Sequence, residues 1–150
     1  MSTQTSEASR EKAAMLYVRI AVGTAFLSAV AGRFGLWHGT VSWAYFQRFY
    51  ELTAQVNAFM PKSVIPLLAW TATVMETLLG ILLLLGLWVR RVAIAAAILL
   101  AVFAIAMTIS QGLKEPMDYS VFSASSAALL LGIRSPRHRK PTVSPSFRGV

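Results

Sequence analysis

The sequence predicts an all-α integral membrane protein: an up-down bundle of four helices, with an amphipathic interfacial helix in the first external loop. Three observations predict it. The 150 residues are 56% apolar and only 13% charged, with a mean hydropathy of +0.60, which no ordinary soluble domain approaches. The excess is gathered into four runs, Met15–Phe34, Val64–Val89, Val92–Ile109 and a shorter one at Tyr119–Ile133. Basic residues are dense in alternate links between those runs and sparse in the others.

The chain divides into a polar segment at 1–14, a transmembrane domain at 15–133 and a basic tail at 134–150. Residues 1–14 are rich in Ser, Thr and Glu and read as disordered. Arg10, Lys12, the apolar run and Ala29-Val30-Ala31 also offer a signal-peptide reading, against which Arg19 interrupts the run and the run is long for such a segment. The first three runs have the length of about 17–25 residues that a spanning helix needs, whereas the fourth is marginal alone. Between the first two, Trp43, Phe46, Tyr50, Thr53, Val56 and Met60 recur every three or four residues, with Phe49 and Phe59 flanking them. Arg48, Glu51, Gln55 and Asn57 supply a polar side, so this loop predicts an interfacial helix over the bundle. Pro61 and Pro66 bracket the start of the second run, where proline is tolerated. Trp37 and Tyr119 fall at one membrane level, Tyr17 and Trp88 at the other, as in aromatic belts. Beyond Ile133, prolines at 136, 141 and 145 predict a disordered tail.

The net charge of +8 fixes an expected topology. If the helices alternate, Arg10, Lys12, Arg19, Arg90, Arg91, Arg134, Arg137, Arg139, Lys140 and Arg148 share one side, against Arg33, Arg48, Lys62 and Lys114. The positive-inside rule then places both termini in the cytoplasm. The basic cluster at 134–140 abuts a membrane helix and lacks interleaved aromatics, so anionic lipid of the bilayer satisfies it and nucleic acid is not implied. The absence of Cys excludes a disulfide framework and thiol-redox chemistry within this chain. No multi-ligand metal site, phosphate loop or nucleophile–base set is present, and His38 reads as an interfacial polar residue.

One residue breaks the apolar pattern. Glu76 lies at the middle of Val64–Val89 and is the only acidic residue in any of the apolar runs. A charge at the bilayer centre costs roughly 2.5–3.5 kcal/mol on insertion scales, so such an acid marks a candidate site. Arg19 and Arg33 are 14 residues apart on the first helix, about 40° apart in direction and about 21 Å apart along the axis. Both are candidate counter-charges for Glu76. Thr73 and Gly80 share the stripe of Glu76, and Gly80 and Gly23 admit a neighbouring backbone. Ser120, Ala124, Ala128 and Gly132 place a small residue every fourth position on the last helix, a packing seam, with Ser123 and Ser126 near it as inter-helix donors. Ala93, Ala97 and Ala101 do the same on the third helix.

Arg19-x3-Gly23, Ala31-Gly32-Arg33-Phe34, Glu76-Thr-Leu-Leu-Gly80 and Leu85-Gly86-Leu87 running into Arg90 together resemble the DoxX family of small bacterial membrane proteins. Arg33 stands one position nearer the glycine than that family's usual Lys. The resemblance implies a four-helix membrane bundle over 15–133 and a link to redox complexes, since relatives include a subunit of a thiosulfate:quinone oxidoreductase. It implies no enzyme activity of this chain's own. The leading expectation is an accessory subunit of a quinone-linked or redox-protective complex, with a polar intramembrane site at Glu76, Arg33, Arg19 and Thr73. Its partners would be membrane oxidoreductase subunits or further copies of the chain, and quinone would be its non-covalent cofactor. Two other expectations stand beside it: a transporter of a small solute, and a purely structural assembly factor.

Overall fold

The computed structural model describes residues 2–135, and every regular element among them is helical. The elements are α1 (Ser2–Arg33), α2 (Trp43–Val56), α3 (Ile65–Leu85), α4 (Val89–Gln111), α5 (Lys114–Asp118) and α6 (Val121–Arg134), with single 3₁₀ turns at Leu36–His38 and Lys62–Val64. Three stretches, Ser6–Arg33, Lys62–Leu85 and Val89–Gln111, are long and apolar enough to cross a membrane. The all-α, membrane-embedded character expected from composition therefore holds. Among the described residues three helices reach that length, and the fourth apolar run forms a shorter apolar helix. α6 has 14 residues, about 21 Å of helix against a hydrocarbon core of about 30 Å. The fourth apolar run is cut short at Ser120, which takes φ +55° and separates α6 from α5.

Two antiparallel pairs make up the bundle. In the first, α1 and α3 cross where Gly23 meets Gly80. A Cβ on either glycine would come within 3.2 Å of the other's carbonyl oxygen, so only bare backbone fits. In the second pair, α6 lies along α4. Gly132 sits against Arg90 and Ile94, and the Ser125 hydroxyl donates to the Ala97 carbonyl at 2.9 Å. Ala93, Ala96 and Ala128 are fully buried there. The seam read from the sequence thus needs correction at one end: Ser120 is exposed and lies before α6 begins. The cross-helix donor is Ser125, since Ser126 bonds only to the Ser123 carbonyl.

The core joins the two pairs through Val22, Phe26, Leu79, Leu83, Val92 and Leu131. Gly86 closes α3 at φ +73°, its amide donating to the Leu82 and Leu83 carbonyls, and three residues later α4 begins. That left-handed position suits glycine and ends the helix without leaving its last carbonyls bare. The link, Arg134 and the first turns of α1 share one end of the bundle, where Arg134 pairs with Glu11 at 3.0 Å. α2 and α5 occupy the opposite end, where the Ser110 hydroxyl of α4 donates to the Val56 carbonyl of α2.

The polar segment 1–14 differs from its expected disorder. α1 runs back to Ser2, because Glu7-Ala-Ser-Arg-Glu-Lys-Ala-Ala contains mostly strong helix formers that extend a helix already nucleated in the apolar run. The tail expected beyond 134 lies, from residue 136 on, outside the described residues. Tyr17, Trp37, Trp88 and Tyr119 are all exposed, as belt residues facing lipid headgroups would be.

Candidate functional site

The site forms where the C-terminal end of α1 meets the middle of α3 beneath α2. Glu76 is 3% exposed and Arg33 10%. One guanidinium nitrogen, Nη2, donates to both carboxylate oxygens at 2.7 Å, and Nη1 donates to the Thr73 hydroxyl at 3.1 Å. The Thr73 hydroxyl donates in turn to the Ala69 carbonyl at 2.8 Å, so it both donates and accepts. Glu76 and Thr73 are three residues apart, which places them on one helix face, and Arg33 reaches both because α1 ends at its position.

A third contact closes the site from above. The Arg33 guanidinium carbon lies 3.8 Å from the centroid of the Phe49 ring, a cation–π geometry worth more when both groups are desolvated. Phe49 is held by Phe46, which is buried and stacks on Phe34, Trp43 and Trp70 at centroid distances of 5.6, 4.9 and 4.7 Å. The amphipathic helix expected in the first loop is therefore present. It does more than float in the interface: its aromatic face covers the one guanidinium that neutralises the intramembrane acid. Arg48, Glu51 and Gln55 point away from the bundle and are exposed.

Of the four residues expected together, the structure joins Arg33, Thr73 and Glu76 and leaves Arg19 out. The antiparallel register set by Gly23 and Gly80 puts Arg19 against Gly86, where a Cβ would lie 2.6 Å from Arg19 Nη1. Gly86 is ten residues beyond Glu76, about 15 Å along α3, farther than an arginine stem reaches. The Arg19 guanidinium instead faces the carbonyl end of α3, whose helix dipole is negative, while its Nε is buried without a partner among the described residues. Phe49 is the residue that sequence reasoning missed as a site member. Its signal was available: it lies three residues after Phe46 on the apolar face.

Chemically, the arrangement is a closed charge pair. Both oxygens of Glu76 are engaged, and the cation is capped by an aromatic face and a hydroxyl. Such an array stabilises an acid in hydrocarbon far better than it presents that acid to a solute. His38, at the exposed end of α1, stacks on Tyr45 at 4.9 Å and takes no part.

A family model described as methylamine utilisation protein MauE matches residues 11–117, more than half of the chain, and the chain belongs to that family. No curated protein and no solved structure matches it. The match overturns the resemblance to DoxX proteins. The short Arg-x3-Gly and Glu-x3-Gly patterns that carried it are what this antiparallel helix crossing requires, glycines for close approach and a buried counter-charge, so they do not discriminate between families of membrane bundles. The matched range runs from within α1 into α5 and includes every residue of the Arg33–Thr73–Glu76–Phe49 site.

Removing one partner of a buried ion pair strands the other, at a cost of about 3–5 kcal/mol, whereas removing both is far milder. Glu76→Leu and Arg33→Leu should each lower unfolding stability in detergent by about 3–5 kcal/mol. The Arg33→Leu/Glu76→Leu double variant should lose much less than their sum. Additive losses in that double-mutant cycle would contradict the pair.

Proposed function

We propose that this chain is a multi-pass accessory protein of methylamine utilisation in the bacterial inner membrane, acting through its assembled helical surface. The Arg33–Glu76 pair serves as an internal clamp. The observation that carries this reading is the closure of the site: the carboxylate has both oxygens on Arg33 and is 3% exposed. An acid that relays protons to a quinone or lines a solute path has to exchange partners, and here Arg33, Thr73 and Phe49 close around it. The methylamine assignment comes from the family match over residues 11–117.

In the membrane we place both termini in the cytoplasm, with α5 and α6 together making the fourth crossing. α6 lies beside the first two-thirds of α4 and α5 beside its end, so the two match its length. Arg90, Arg91 and Arg134 then share the cytoplasmic side with the start of α1. The absence of native Cys makes this directly testable with single cysteines. Ser6→Cys, Leu87→Cys and Ser146→Cys should react with an impermeant maleimide only after the cytoplasmic face is opened. Ser63→Cys and Leu113→Cys should react in intact cells. Labelling of Ser146→Cys from outside would reduce the crossings to three.

Deleting the gene in its host should abolish growth on methylamine as sole nitrogen source and leave growth on ammonium intact. The wild-type chain should restore it, and so should the Arg33→Leu/Glu76→Leu variant wherever it accumulates folded in the membrane. Unimpaired growth of the deletion strain on methylamine would remove the assignment. Failure of a folded double variant to complement would make the charges themselves functional and overturn the clamp.

A further inference from the structure

The described surface carries an open groove of about 300 Å³ between α3 and α4, lined by Leu79, Val92, Ala95, Trp88 and Arg91; Leu79 and Val92 are core side chains that reach it only at their edges. Its walls divide by chemistry. The three apolar residues belong to the spanning parts of the two helices, while Trp88 and Arg91 belong to the link and the first turn of α4. Trp88 is held at φ +44°, a conformation that residues other than glycine rarely adopt, and it is 64% exposed. Leu79 precedes Gly86 by seven residues, so the apolar part runs about 10 Å inward from the link. Among the described residues no carboxylate pairs with Arg91. Arg90 adjoins it in sequence, Arg19 lies against Gly86 in the same link, and the amino-terminal end of α4 adds a positive dipole.

We propose that this groove is a binding site for one anionic phospholipid, its phosphate at Arg91 beside Trp88 and part of one acyl chain along Leu79, Val92 and Ala95. The commitment to a lipid rests on complementarity on two levels. Exposed Arg91 and Trp88 meet a headgroup at the membrane surface, and Ala95 with the edges of Leu79 and Val92 meets hydrocarbon below them. A volume near 300 Å³ holds a chain segment and not a folded partner. The inference depends on membrane insertion alone, and its failure would leave the methylamine assignment untouched.

Native mass spectrometry of the full chain in mild detergent, with phosphatidylglycerol and phosphatidylcholine supplied in equal amounts, tests it. Phosphatidylglycerol should be retained in preference. Arg91→Gln, an exposed position whose change leaves the thermal melt in place, should reduce that retention about fivefold. Ala95→Phe, which fills the groove at constant charge, should also reduce it, and Arg10→Gln, at the same end of the bundle but outside the groove lining, should not. Unchanged retention in Arg91→Gln or Ala95→Phe would overturn the site. Equal losses in Arg10→Gln and Arg91→Gln would replace it with diffuse attraction to basic residues. A lipid-free dimer lost on Ala95→Phe would assign the groove to a second copy of the chain and likewise overturn the proposal.

Discussion

A carboxylate in the middle of a hydrocarbon slab has to be neutralised, and the loop half of this bundle is organised around that requirement. Glu76 cannot borrow water, so it takes a guanidinium across a helix interface. Arg33 carries a desolvation cost of its own, met by the Thr73 hydroxyl and the Phe49 ring. Phe49 is fixed in turn by the Phe34–Phe46–Trp43–Trp70 cluster. One electrostatic constraint thereby links α1, α2 and α3, three elements that hydrophobic association alone would leave free to slide in lipid.

The register of that linkage comes from the opposite kind of residue. Gly23 and Gly80 let the backbones of α1 and α3 approach, and this crossing point decides which arginine the acid meets. With the crossing fixed, Arg33 arrives at the level of Glu76, and Arg19 arrives at the carbonyl end of α3. The second pair, α4 with α6, repeats the strategy without charge, through Ala93, Ala96, Ala128 and Gly132 and the single hydroxyl of Ser125. The two halves of the molecule thus solve helix association differently. One uses a buried ion pair with glycines, the other small-residue packing.

Much of this was legible in the residues themselves. Hydropathy alone places α1, α3 and α4, because length and apolar content are direct requirements of the bilayer. The amphipathic period places α2, and an acid in an apolar run marks the site without any structure. What periodicity cannot give is the relative register of two helices, and for that reason Arg19 and Arg33 looked equivalent as partners. Ser120 was misplaced for a related reason. A small-residue spacing of four continues on paper through a residue that the chain uses, at φ +55°, to break the helix. The segment before Met15 shows the limit of composition, since a polar stretch of good helix formers becomes ordered when a long helix follows it. Family assignment failed on specificity. Glycine and arginine patterns that satisfy membrane packing recur wherever that packing recurs, and only a match along most of the chain separates one family from another.

The pairing of Arg33 with Glu76 in a lipid bilayer is the claim on which the rest stands. Solid-state NMR with ¹⁵N in the arginine guanidinium and ¹³C in the glutamate carboxyl, assigned by loss of signal in Glu76→Gln, measures it directly. Direct contact, as expected for Nη2 at 2.7 Å from both oxygens, predicts strong dipolar recoupling between the two groups. A Glu76 carboxyl signal with no recoupling to any guanidinium nitrogen would contradict the clamp.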